Sequence, residues 1–398
     1  MGEPAPPLKQ IHALRAAAAS GRADVLRGAL ADMPPTLARV GRALLAADRG
    51  AWQDVVDLLA GLAGVPSALD GLVSLALTRA LTHTGQLQIA EQVANERLKR
   101  VPDDHDVRTA RARAWFAAGL VQQAADEFAA VLKAVPRHPG ACLGLGEVAL
   151  ATGNLAKASD CLQAACVAAP LATEPVVALA RLFLVAGMPA DGARQVEALI
   201  EVRPQGHDPR LISSLAELRV AAELFADVPP LLEQLEQLPE LDDVRRIELA
   251  RLWAETGHSE PIRRLSASAD HPGIVALLKA VADGIDGGDP LPGLDDAVVM
   301  LPNHWWVHER RAHVLLQVGD EAGASAAAAV ALRLAPRAAA VRVVAAAALL
   351  RERNDAHSIR VLRVAAKHTG LWPSVRASAQ AALAGAPTAD SPADRAGS

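Results

Sequence analysis

Across residues 71–206, apolar and polar positions interleave at helical rather than alternating spacing. In VQQAADEFAAVLKAV (121–135), Val121, Ala124, Phe128 and Val131 fall three or four residues apart, the spacing of one helix face. VRTARARAWFAA just before it reads as a second helix, and Gly119 separates the two. The arrangement recurs: Gly85, Gly119, Gly153 and Gly187 stand 34 residues apart, as do Pro102, Pro136, Pro170 and Pro204. Each repeat therefore reads helix, Gly turn, helix, Pro stop. Gly takes the left-handed conformation that ends a helix in a sharp reversal. Pro cannot continue the second helix and turns the chain out. Asp103, Asp104, His105 and Asp106 after Pro102 offer capping groups to the next helix.

Composition sharpens this picture. Of the 398 residues 51% are hydrophobic but only 3% aromatic, with no Tyr. Alanine, the best helix former, dominates the apolar set. Small side chains fill an interior only if backbones approach closely. Both points predict an all-α protein of tightly packed helices.

Period and pattern together resemble the tetratricopeptide repeat, a 34-residue helix–turn–helix. Ala112, Trp115, Gly119, Ala124, Phe128 and Pro136 carry the resemblance in one repeat, and Gly146, Gly153, Ala158, Ala165 and Pro170 in the next. Ala312, Leu315, Gly319, Ala324, Ala331 and Pro336 carry it again near the end. The resemblance implies a right-handed α-solenoid of about ten or eleven stacked repeats. Good repeats cover 71–206 and 305–338. Weaker ones cover 36–70, with Gly50 and Pro66, and 339–372, with RERND at the turn. Between 207 and 304 the spacing slips, although Gly257 keeps a turn position. The expected organisation is a disordered start (1–7), a repeat array (8–206), an irregular helical segment with a possible hinge (207–304), a second array (305–383) and a disordered tail (384–398).

By the same resemblance, the first helix of each repeat lines a concave groove, with ligand contacts at its second, fifth, ninth and twelfth places. The ninth places are Arg79, Arg113, Glu147 and Arg181, then His313 in the late repeat. Phe116 and Leu150 are among the apolar neighbours. Spaced guanidinium groups between apolar walls suit an acidic, hydrophobic peptide or helix. The same Arg residues can instead pair with local acids such as Glu147, Asp106 and Glu174. The Asn of the family's chaperone-tail clamp is missing from these places, so heat-shock chaperone tails are not expected. Trp306 occupies a second place and is a candidate exposed anchor; of Trp305 and Trp306, at least one is expected to be structural.

Other patterns carry little chemistry. His304 and His308 share a helix face, but two His make a weak metal signal; packing at a helix start beside a capping Asn303 is the expectation. Cys161 and Cys166 lie about 140° apart around a helix and read, with Cys142, as buried small hydrophobes in a reducing, cytoplasmic setting. Asp283, Asp286 and Asp289 lack the alternation of a calcium loop. Gly144 and Gly146 fall inside a helix, not after a strand, so no nucleotide loop is expected. No catalytic motif or cofactor-binding pattern appears. A net charge of −5 and pI near 6.2 argue against a general nucleic-acid binder, and no apolar run suits a membrane span. The expected function is a non-catalytic scaffold or adaptor holding a protein or peptide partner. The alternatives are a peptide-sensing regulator, with 207–304 as its hinge, and an accessory subunit of a partner enzyme.

Overall fold

The computed structural model describes residues 9–10, 14, 23–30, 33–62, 69–203, 208–238, 241–353 and 355–385. Among them are twenty-two α-helices and no strand, the all-α solenoid expected. The chain divides into two units, 1–182 and 183–398. Unit 1 contains α1 (Ala23–Leu30), α2 (Pro35–Asp48), α3 (Trp52–Leu59), α4 (Asp70–His83), α5 (Leu87–Arg100), α6 (His105–Ala117), α7 (Val121–Ala134), α8 (Pro139–Ala151), α9 (Leu155–Ala168) and most of α10 (Thr173–Val185). Unit 2 continues with α11 (Pro189–Glu201), α12 (Pro209–Ala221), α13 (Pro229–Glu236), α14 (Asp243–Glu255), α15 (Ser259–Ala267) and α16 (Pro272–Ile285). It ends with α17 (Leu291–Met300), α18 (Trp305–Val318), α19 (Glu321–Leu334), α20 (Ala339–Arg353), α21 (Ala356–Lys367) and α22 (Pro373–Ala384).

The punctuation seen in the sequence is the punctuation of the fold. Gly50, Gly85, Gly119, Gly153, Gly187, Gly257 and Gly319 all have φ between +69° and +84°, a conformation that strains any side chain with a Cβ. Glu223 adopts the same conformation, φ 61°, in the turn after α12. Pro102, Pro136 and Pro170 sit in the turns that follow α5, α7 and α9; Pro66 and Pro204 lie outside the described residues. Asp104, Asn154, Asp320 and Asp355 cap α6, α9, α19 and α21, each accepting a backbone N–H three residues on. Asn303 does not cap α18: the residue before its first turn is His304, whose side chain makes no cap bond.

Packing in unit 1 rests on small residues. Ala112, Ala124, Ala158 and Ala165 are fully buried. A Cβ on Gly146 would come within 2.7 Å of Leu162, and one on Gly144 would collide with the Phe128 ring. Helices α8 and α9 approach closely for this reason.

Unit 2 packs larger side chains, with Trp253, Leu277, Leu278 and Trp306 in its main core. Its last helices also reach back to its first residues. His368 Nε2 bonds the Val185 carbonyl at 3.1 Å, and Thr369 Oγ donates to the Gly187 carbonyl at 2.6 Å. The Ser374 N–H and hydroxyl donate to Glu255, and Arg376 donates to Glu223. Gly370 lies so close to the Leu184 carbonyl that a Cβ there would overlap it. Of the ends expected to be disordered (1–7 and 384–398), residues 1–7 and 386–398 lie outside the described residues, while Ala384 is the last residue of α22 and Gly385 caps it.

Candidate functional site

In unit 1 the first helices of successive repeats, α4, α6 and α8, lie side by side. Equivalent places on them are therefore neighbours. Arg113 on α6 donates to Glu147 on α8 at 2.8 Å, and Arg79 on α4 lies 3.8 Å from Glu174 on α10. The four side chains are partly open, between 25% and 40% exposed. Arg181 on α10 is exposed. Phe116, one turn after Arg113, is half-buried, as are Leu75, Leu150 and Val177. The row is thus a mixed-charge strip flanked by apolar surface.

His83 stands among these charges. Its imidazole stacks on Trp52, with ring centroids 4.1 Å apart and planes 5° from parallel. Burial, then Arg79 and Arg113, push its pKa below the ordinary imidazole value, opposed by Glu174 and Glu147. At the edge of the row His138 Nδ1 accepts the Ala141 N–H while Nε2 faces Asp106 at 3.2 Å. That bond holds the Asp106 carboxyl below the usual range against the effect of burial. Sequence reasoning missed His83; its place one turn after Arg79 was the available signal.

Trp306 does not serve as an exposed anchor. It is 4% exposed and packs in the unit 2 core. Adjacent Trp305 and Trp306 both pack at a helix start, and the sequence does not distinguish which is inward. His313 is half-buried, hydrogen-bonded to Gln317 and kept below the ordinary imidazole pKa by burial and Arg310. Beside it, Glu309 takes two bonds from Arg310, at 2.7 and 2.8 Å. Burial pushes the Glu309 carboxyl up, but Arg310 holds it below its usual value.

Unit 2 has residues at the equivalent place of its own repeats. Arg79, Arg113, Glu147, Arg181 and His313 each stand six residues before their turn Gly. Arg251 stands six before Gly257, and Glu217 six before Glu223, the left-handed turn residue of its repeat. Counting back from those turns was the signal that would have found both. The Arg251 guanidinium lies 4.8 Å from the Trp305 ring and 4.9 Å from the Trp372 ring.

The remaining candidates are occupied structurally. His308 Nε2 bonds the Pro302 carbonyl at 2.8 Å. Asp283 and Asp286 both pair with Arg263, and Asp289 accepts the Leu291 N–H. Cys142 and Cys166 are buried and Cys161 half-buried, all as free thiols. Burial pushes the Cys142 and Cys161 thiols up, which makes them poor nucleophiles. No group of three metal-ligating side chains occurs among the described residues, and none of their helices is long and apolar enough to cross a membrane.

Residues 116–170 match the tetratricopeptide-repeat family. Left-handed turns and paired helices of the same kind repeat along both units, so the fold is that of stacked tetratricopeptide-like repeats. Among solved structures, a chain of the APC/C hetero-tetramer Cut9–Hcn1 is similar at TM-score 0.54 and 16% identity, over 82% of this chain and 59% of that one. This chain therefore spans less than two thirds of that neighbour. A tetratricopeptide-repeat protein of Parabacteroides merdae aligns at TM-score 0.39 and 15% identity, over 62% of this chain and 98% of that one. A thermophilic one of Thermus thermophilus aligns at TM-score 0.40 and 21% identity, over 46% and 98%. No curated protein matches the chain.

Proposed function

We propose that the chain is a non-catalytic, cytoplasmic interaction scaffold whose unit 1 row holds an acidic, apolar segment of a protein partner. The observation that carries this reading is the row itself. Arg79, Arg113, Glu147 and Arg181 occupy one place on successive first helices, 34 residues apart, and the ion pairs of Arg113 with Glu147 and of Arg79 with Glu174 stay partly open. Pairs this exposed are worth about 0–1 kcal/mol. A partner's carboxylates therefore displace Glu147 and Glu174 from Arg113 and Arg79 at little cost. Apolar partner side chains lie against Phe116, Leu150 and Val177, and a rigid helical stack presents all of these without ordering itself first. Three reduced cysteines fit the cytoplasmic setting.

The test is capture from the source cells by the wild type and by Arg79→Glu/Arg113→Glu/Arg181→Glu, after circular dichroism shows equal helicity. Wild type retains a partner that the variant loses, by about tenfold or more, as expected for several charge pairs made repulsive. Equal recovery of the same partner by both proteins would remove the row from the binding surface.

A further inference from the structure

A cavity of about 250 Å³ opens in unit 2, between α12 and α14 and beside Trp372. Its apolar wall includes Leu235, Leu238, Leu249 and Leu252. Arg210, Arg245 and Arg251 face it, with Glu217 on the wall and the more exposed Glu248. Arg251 is the unusual member. Trp305 and Trp372 stand by the guanidinium within 5 Å, and burial works against its charge. Among the described residues no carboxylate pairs with Arg251 and no acceptor takes its N–H groups. Glu309, on the neighbouring α18, is bound to Arg310, and Glu255 is bound to Ser374.

A guanidinium stacked on aromatic rings keeps its hydrogen-bonding capacity in its edge, where five N–H groups form a fork matched to a carboxylate. Arg210 is held by Asp208 at 3.1 Å, and Arg245 stands with Arg251 against Glu217 and Glu248, so the pull on an anion comes from the Arg251 fork itself. A single fork beside leucines suits one carboxylate on a hydrocarbon body; a phosphate group carries more charge and calls for more donors. The volume lies below the ~300–1,000 Å³ of drug-sized pockets, so the occupant is small.

We propose that this cavity is a binding site for a small aliphatic carboxylate, gripped by the edge of Arg251 with its hydrocarbon against the leucines. Glu217 leads the pH dependence, and Glu248, also pushed up by burial, adds to it with the same sign. Burial pushes the Glu217 carboxyl up, with Arg251 opposing and Glu248 adding to the rise. Protonated, it donates to the ligand; ionised, it repels it. Affinity therefore falls as pH rises through the Glu217 titration. His304 is pushed below the ordinary imidazole pKa by burial, by Arg251 and by His308, and would add to the decline wherever its titration overlaps that of Glu217.

The test titrates the full chain with isocaproate, its neutral analogue isocaproamide and the cation isoamylammonium, by calorimetry and ligand-observed NMR. The expected result is saturable binding of isocaproate at one site per chain, at least about tenfold tighter than the amide, since a charge-assisted bidentate pair is about twice as strong as a neutral contact. Arg251→Lys keeps the charge but loses the fork and the binding. Glu217→Gln retains a donor, keeps the binding and flattens its decline with pH; this variant and the amide comparison decide the matter should Arg251→Lys not fold. Equal binding of the amide, preference for the ammonium, or no saturation by isocaproate at about 10 mM would overturn the proposal.

Discussion

Phe128→Ala is expected to lower the stability of unit 1 by about 3–5 kcal/mol, the cost of emptying a fully buried aromatic site. Phe128 is 0% exposed. It packs with Ala112, Ala124, Val131, Ala141 and Leu145, and its ring occupies the space that a side chain on Gly144 would need. Small neighbours cannot swing in to refill the void, so little of the loss is recovered. Gly144→Leu alone is expected to destabilise by about 1–3 kcal/mol through overpacking. In Phe128→Ala/Gly144→Leu the new side chain enters the vacated space, and the combined loss is smaller than the sum of the two. Denaturant unfolding of the four proteins measures this coupling. Strict additivity would mean that the two residues do not share the space.

The second large effect concerns the polar joint between α4, α5 and α6. Asp70, 2% exposed, accepts from Arg97 at 2.8 Å and Arg100 at 3.1 Å. Arg97 also donates to Asp104 at 2.8 Å, the residue that caps α6. Burial opposes the Arg97 charge, and its bonds to Asp104 and Asp70 outweigh that cost. Arg97→Met/Arg100→Met leaves the Asp70 carboxylate buried without its cations, and a loss of about 3–5 kcal/mol is expected. Adding Asp70→Asn removes the stranded charge and restores a large part of it. A triple variant no more stable than the double would show that the Met side chains, not the unpaired charge, do the damage.

The repeat was legible because its marks are local. A left-handed turn calls for Gly, and Gly every 34 residues is visible without any knowledge of packing. Glu223 escaped notice because it holds the same conformation without being Gly, and the register slipped with it. The ninth-place row was legible for a related reason: equal places on adjacent repeats become neighbours. Hence Arg113 and Glu147, 34 apart, form an ion pair. What stayed hidden depends on distant segments. The match of Phe128 to Gly144 is a matter of volume across two helices. Trp306 reads as a groove residue by its place, yet the core of unit 2 takes it up. Arg251 meets Trp372 because the last helices return to the first, a closure made through Thr369, Gly370 and Ser374, which carry no signature in sequence.

The central claim, that the inner row of unit 1 holds a protein segment, is tested most directly by locating the contact. A photo-crosslinking phenylalanine analogue placed at Phe116 reports on the row, and one placed at Val167, 73% exposed on α9, reports on the second helices. Irradiation in source-cell lysate, followed by peptide mapping, identifies what each position touches. The account predicts that Phe116 links to a segment rich in Asp, Glu and apolar residues, and that the link is lost in the Arg79→Glu/Arg113→Glu/Arg181→Glu background. Linkage of the partner to Val167 alone, or to Phe116 with undiminished yield in that background, would contradict it.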